Sequence, residues 1–205
     1  MISMSSPRYD PKTALLVVDV QNDFADPQGS LAVAGGERIV APIGQEITDA
    51  IAAGSFVVLT QDWHPADTPH FAKDGGIWPV HCVGGTWGAR LHPELPVPEP
   101  VDGNPAFLRK GTDGRDGYSA FSVRHPSTGE SAPTELETML RERGIERVVI
   151  VGLATDYCVL QTALDARRLG FDAEVVTDLI AAVDREAGDG ARALDAIARA
   201  GAELT

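Results

Sequence analysis

Three histidines and an aspartate fall within 20 residues as Asp62-Trp-His64, His70 and His81. Asp62 and His64 stand at i and i+2, so in extended chain their side chains point the same way. One carboxylate oxygen with two or three imidazoles is a donor set for zinc, iron or manganese, and it leaves room for water or substrate. The plainer reading is a surface loop that carries histidines for no special reason, which the clustering disfavours. His92 and His125 stand alone, and for them the plain reading holds.

A second constellation is Gly152-Leu-Ala-Thr-Asp-Tyr-Cys158. As the opening of a helix it makes Thr155 or Asp156 the N-cap and puts Cys158 in the first turn. Free backbone N–H groups and the helix dipole favour an anion there, which lowers a thiol pKa and readies a nucleophile. The same N–H groups suit an oxyanion. The alternative is a buried apolar cysteine packing the helix on a sheet. Cys82 has no cap or strand end beside it and reads as structural. Asp19, straight after an apolar run, is either a hydrogen-bonded turn residue or a general base with a shifted pKa. Lys110, after Ala-Phe-Leu-Arg at a short strand, reads by itself as a solvated lysine.

The elements that must position these groups show in the hydrophobic pattern. Thr13–Val18 is an unbroken apolar run ending at Asp19, as expected of a strand covered on both faces. Phe56–Leu59, Arg147–Val151 and Ala173–Thr177 are runs of the same kind, the second strand leading to Asp62. Between them Glu37–Ala53 spaces Ile39, Val40, Ile43, Ile47 and Ile51 at helical intervals, with Gly54 as a stop. Thr134–Arg143, Tyr157–Leu169 and Asp189–Ala200 also read as helices, each followed by glycine. Alternation of this sort predicts an α/β fold, a three-layer arrangement of a mainly parallel sheet with helices on both faces. Such sheets take ligands at the carboxyl ends of their strands, where Asp19, Asp62 and the Cys158 turn fall.

Trp63–Pro105 breaks the rhythm. It holds eight of the 14 prolines, all three tryptophans and four of the five histidines. That composition is unlike a disordered tract, so the segment is predicted to be an ordered, functional excursion at about 63–105.

The chain has 205 residues and a formal charge of −13. One domain over residues 1–205 is the default at this length. A surface this acidic repels phosphate backbones, which argues against nucleic acid as a partner. The longest apolar runs are far short of a bilayer span, and no basic start or cleavage site marks a signal peptide. Two cysteines make no disulfide framework. A cytoplasmic protein with no membrane partner is expected. No pattern sets the oligomeric state, and a homo-oligomer stays open.

Taken in order, VVDVQNDF, QDWH with a second histidine six residues on, WPVHC, a lysine after a short strand and GLATDYCV resemble the nicotinamidases (pyrazinamidases) of the isochorismatase-like cysteine hydrolases. The resemblance runs from about Thr13 to the C-terminus. It implies the isochorismatase-like hydrolase fold and a Cys–Asp–Lys triad of Cys158, Asp19 and Lys110. It implies one divalent metal ion, zinc first and iron or manganese as alternatives, held by Asp62, His64 and His81 with His70 in the same site. It implies a cis peptide at Leu153–Ala154 that aims the N–H groups of Ala154 and Cys158 at an oxyanion. Phe24, Trp78, Tyr118 and Tyr157 match positions lining the family's pyridine pocket, where aromatic walls suit a flat ring. The activity implied is hydrolysis of nicotinamide, with pyrazinamide as a further small-molecule substrate and pyridine-nucleotide salvage as the setting. The runner-up is another Cys–Asp–Lys amidase acting on a ureido or different carboxamide bond. A metal-binding scaffold with a structural Cys158 comes third. Trp87, Arg115 and Asp116 have no role in this reading.

Overall fold

A strand without polar interruption needs cover on both faces, and Thr13–Val18 (β1) is buried at all six positions. In this computed structural model, which describes residues 8–205, β1 lies inside a six-stranded sheet. After β1 come α1 (Asn22–Ala25), α2 (Gly36–Ala52), β2 (Phe56–Asp62) and β3 (Ala106–Lys110). A small hairpin follows, β4 (Ser122–Arg124) with β5 (Ser131–Pro133), then α3 (Leu136–Glu142) and β6 (Arg147–Leu153). The chain ends with α4 (Leu160–Arg168), β7 (Asp172–Ala181), α5 (Asp189–Arg199) and β8 (Glu203–Leu204).

The sheet runs β3-β2-β1-β6-β7-β8, with every neighbouring pair parallel. Strand order therefore reverses between β1 and β6, and in open α/β sheets the crevice at that switch point takes the ligand. Alternate β1 residues feed two cores. Leu15 and Val17 pack with Ile39, Val40, Ile43 and Ile47 of α2, while Ala14, Leu16 and Val18 pack with Leu136, Leu140, Ala163 and Ile197 of α3, α4 and α5. The result is the three-layer α/β fold expected from the sequence. No helix among the described residues is long and apolar enough to cross a membrane.

Two elements beside the site are held by polar contacts. β2 runs past its apolar stretch to Asp62, the end read from the sequence, because its polar end is bonded inward: Thr60 Oγ1 donates to Asp19 Oδ1 at 2.6 Å and Gln61 Nε2 to the Ala89 carbonyl at 2.9 Å. The 63–105 excursion is tied to α1 and the residue before it. Gln21 Nε2 donates to Ala89 O, Asn22 Nδ2 to Trp87 O, and Asp23 Oδ2 accepts the Cys82 N–H at 2.7 Å.

Candidate active site at the carboxyl edge of the sheet

Asp19 follows β1 directly and takes a left-handed backbone, φ 48°. That conformation is uncommon outside glycine. Its carboxylate is buried, with one oxygen on Thr60 and the other 2.7 Å from Lys110 Nζ. Lys110, at the end of β3, is not the solvated lysine its local sequence suggests. Its ammonium also reaches Asp62 Oδ1 at 3.2 Å, the Tyr118 carbonyl at 3.2 Å and Cys158 Sγ at 3.6 Å. A carboxylate oxygen of Asp19, one of Asp62 and the Cys158 sulfur all lie within 4.8 Å of one another.

Cys158 is carried by a π-helical turn, Thr155–Val159, directly after β6. The peptide Leu153–Ala154 is cis. The Ala154 carbonyl accepts the N–H groups of Tyr157 and Val159, bracketing Cys158. The N-cap is Ala154, not Thr155 or Asp156. The Asp156 carboxylate instead accepts the N–H groups of Val183 and Asp184, at 3.0 and 2.8 Å, and so fastens the loop after β7. Gly152 lets β6 approach β1 at this point: with φ 112°, a Cβ there would lie 2.1 Å from the Val18 carbonyl oxygen.

Burial decides the charges. It pushes the Cys158 thiol well above its ordinary value against the pull of Lys110, so the lowered pKa expected of a helix start is overturned. The Asp19 carboxyl is likewise raised by burial, with Lys110 opposing. Burial works against the Lys110 charge too, yet Asp19 and Asp62 hold its ammonium well above the ordinary lysine value. Asp62 goes the other way: Lys110 and His64 outweigh burial and keep it ionised.

The second cluster shares Asp62. Its Oδ2 stands 3.6 Å from His64 Nε2 and 4.0 Å from His81 Nε2. A ring nitrogen from each of His64, His70 and His81 lies within 4.8 Å of the others. His81 Nδ1 is engaged with the Pro79 carbonyl at 2.7 Å, and burial lowers this ring to about 4, keeping it neutral. Both ring nitrogens of His64 are buried without a hydrogen-bond partner among the described residues. An orphaned imidazole among a carboxylate and two further rings is costly unless a cation completes it, so these residues fit a divalent metal.

Phe24, Trp78, Tyr118 and Tyr157 line one cleft with His70, His81, Ala154 and Cys158. Trp78 meets Tyr157 edge-on at 4.8 Å, and its Nε1 donates to the Tyr118 hydroxyl at 3.0 Å. Every candidate residue of the sequence thus converges on one place. Cys82 is buried apart from it, its N–H held by Asp23 and its thiol raised by burial.

The sequence matches the isochorismatase domain over residues 13–205. The chain belongs to the isochorismatase family. Among members of that family it is similar to a nicotinamidase of Acinetobacter baylyi, 42% identical over 190 residues that cover 83% of this chain and 82% of the relative. Its structure is similar to that of a pyrazinamidase of Pyrococcus horikoshii in complex with zinc, with TM-score 0.83, 35% identity and coverage of 95% and 99%. It is also similar to PnC1 from L. infantum in complex with nicotinate, with TM-score 0.82, 36% identity and coverage of 97% and 95%.

Four functional neighbours in this isochorismatase-family chain escaped the sequence. Thr60 steadies Asp19, and Gln21 holds Asp62 through both its backbone N–H and carbonyl. Asp23 fixes the loop at Cys82. Asp116 contacts His70 Nδ1 at 3.2 Å. All are polar residues in short elements, loops or strand ends whose partners lie far away in the chain, so only chemical type, not spacing, could have flagged them.

Proposed function

We propose that this protein is a nicotinamidase: it hydrolyses nicotinamide to nicotinate and ammonia through a thioester on Cys158. One observation carries the reading. The Cys158–Asp19–Lys110 cluster opens at Cys158 into an aromatic cleft also lined by Asp62, His70 and His81 of the donor set.

The chemistry follows from the charges. The thiol is neutral at rest, so its proton must leave as the sulfur attacks, and the Asp19 carboxylate is the nearby base. The sulfur bonds to the carboxamide carbon, and the N–H groups of Ala154 and Cys158 stabilise the oxyanion that forms. Asp19 returns the proton to the leaving nitrogen, the C–N bond breaks and ammonia departs. Water then adds to the thioester with Asp19 as base, and the C–S bond breaks to give nicotinate and the thiol. Lys110 stays charged throughout and compensates the anion on Asp19 and on sulfur. A divalent ion, zinc first, held by Asp62, His64, His70 and His81 would supply a Lewis-acid grip for the ring nitrogen of the substrate. Phe24, Trp78, Tyr118 and Tyr157 sandwich the flat ring, which also suits pyrazinamide. Two buried free cysteines support a reducing, cytoplasmic setting for this chemistry.

The test is ammonia release from nicotinamide by the purified protein, with and without prior chelation. Ammonia that depends on both Cys158 and the metal supports the whole reading. A folded, metal-loaded sample that releases none overturns it, and a panel of carbamoyl substrates would then separate the other amidases of the family.

A further inference from the structure

We propose that Asp116 is a positioning residue for His70: it accepts the Nδ1 proton of that ring and leaves the Nε2 lone pair facing the Asp62/His64/His81 cluster. The proposal rests on the metal-site reading above and adds to it a residue that touches neither metal nor substrate.

The contact itself fixes a tautomer. Asp116 Oδ2 lies 3.2 Å from His70 Nδ1. A carboxylate offers only lone pairs, so the shared proton belongs to Nδ1 and the free lone pair to Nε2. Metal-binding imidazoles are commonly oriented in this way, by an acceptor on the nitrogen away from the ion. His81 is held likewise by the Pro79 carbonyl, but that acceptor is two residues away in the chain, whereas Asp116 is 46 residues from His70.

The backbone shows that the carboxylate is brought there. Asp116 exchanges both of its main-chain hydrogen bonds with Arg124 of β4, its N–H reaching the Arg124 carbonyl at 2.8 Å. The next residue, Gly117, has φ 151°, and a Cβ on it would lie 3.0 Å from the Ser122 carbonyl oxygen, so only glycine packs this closely on β4. The β4–β5 hairpin, which lies outside the main sheet, thereby holds Asp116 against His70.

A turn-stabilising role does not account for the side chain. Asp113, in the same loop, has the usual local pattern, with Oδ1 accepting the N–H of Arg115 two residues on. Asp116 makes no such bond. Its contact with His70 is its one side-chain hydrogen bond among the described residues, and Oδ1 is buried with no partner. A half-buried carboxylate committed to a single imidazole is what orientation of that ring requires.

The experiment is zinc affinity of the full chain, measured by competition with a chromophoric chelator, for the parent, Asp116→Ala, Asp116→Asn, His70→Ala and the Asp116→Ala/His70→Ala double variant. Asp116→Ala is expected to weaken zinc by about 10- to 100-fold. Asp116→Asn, whose amide oxygen still accepts from Nδ1, is expected to recover most of that loss. The double variant should bind no more weakly than His70→Ala, because both act through one ring. Losses that add in the double variant, or unchanged affinity in Asp116→Ala while His70→Ala weakens, overturn the proposal. If Asp116→Ala does not fold, Asp116→Leu, similar in size and without an acceptor, takes its place alone and in the His70→Ala background, and the same non-additivity decides. A parent protein that takes up no zinc overturns the metal reading itself, and this proposal with it.

Discussion

Lys110 Nζ stands 3.2 Å from Asp62 Oδ1 while holding Asp19 Oδ2 at 2.7 Å. Asp62 divides its two oxygens, one toward this ammonium and the other toward His64 and His81. A single buried cation therefore joins the proposed base, Asp19, to the Asp62/His64/His81 cluster.

Removing that cation should unsettle the fold as well as the reaction. Side chains of Lys110 and Asp19 are 1% and 0% exposed, so Lys110→Met leaves the Asp19 carboxylate without an opposite charge in the interior. Breaking such a pair costs about 3–5 kcal/mol. Urea unfolding should show a loss of that size, together with loss of ammonia release. Unchanged stability would mean that the carboxylate finds another partner.

Cys158→Ala separates nucleophile from metal. Turnover is expected to fall by more than about 10³-fold, since members of a nucleophile–base unit fail together. Zinc content should stay at the parent level, because no proposed ligand is touched. Residual turnover near the parent rate would remove the thioester from the mechanism.

The pH profile should carry the signature of Asp19. Burial raises its carboxyl above the ordinary value of 3.8, against the pull of Lys110. Only the carboxylate can take the thiol proton, so kcat/KM should fall on acidification along a limb lying above 3.8. An acid limb at or below that value would assign the titration to another group. Stability follows the opposite sign for this residue: a raised folded pKa favours the folded state at low pH, and the advantage is lost as pH rises through it. Asp62, depressed in the folded state, contributes above the ordinary carboxylate range and loses its contribution as pH falls.

Chelation should stop turnover without unfolding the chain. The donor set sits at one edge of a sheet whose two cores pack independently of it. Far-ultraviolet circular dichroism of the chelated protein should match the parent, and added zinc should restore ammonia release. His64→Ala should prevent that restoration.

Gly152→Ala tests the close approach of β6 to β1. The new Cβ would meet the Val18 carbonyl at 2.1 Å, from a backbone with φ 112°. Overpacking plus a disfavoured conformation predicts a loss of about 3–5 kcal/mol. Denaturant unfolding measures it directly, and a loss under 1 kcal/mol, roughly the effect of an ordinary surface change, would show that the strands can part.

Legibility followed burial. Thr13–Val18 shows its full extent in the sequence because both its faces are covered and every residue is apolar or β-branched. The apolar run of β2 stops at Leu59, and the three polar residues that follow are buried through partners on other segments, so the end at Asp62 is legible only from the strand's direction toward that carboxylate. β4, β5 and β8 have three or fewer residues each and little apolar pattern, so nothing local announces them. Chemistry-bearing side chains were legible at the carboxyl ends of strands, as Asp19 just after β1 and Asp62 at the end of β2 are. Asp156 was misread as a cap because its carboxylate reaches forward to Val183 and Asp184, a tertiary contact that no local pattern encodes. Asp116 was invisible for the same reason.

The reversal of strand order between β1 and β6 divides the labour of the molecule. The proposed base and nucleophile hang from the two neighbouring strands at the switch point, in the middle of the sheet. Three of the four proposed metal ligands and one wall of the cleft belong instead to the long excursion that leaves β2. A change confined to the excursion would therefore bear on the grip of the amide's ring before it reached the proposed base and nucleophile.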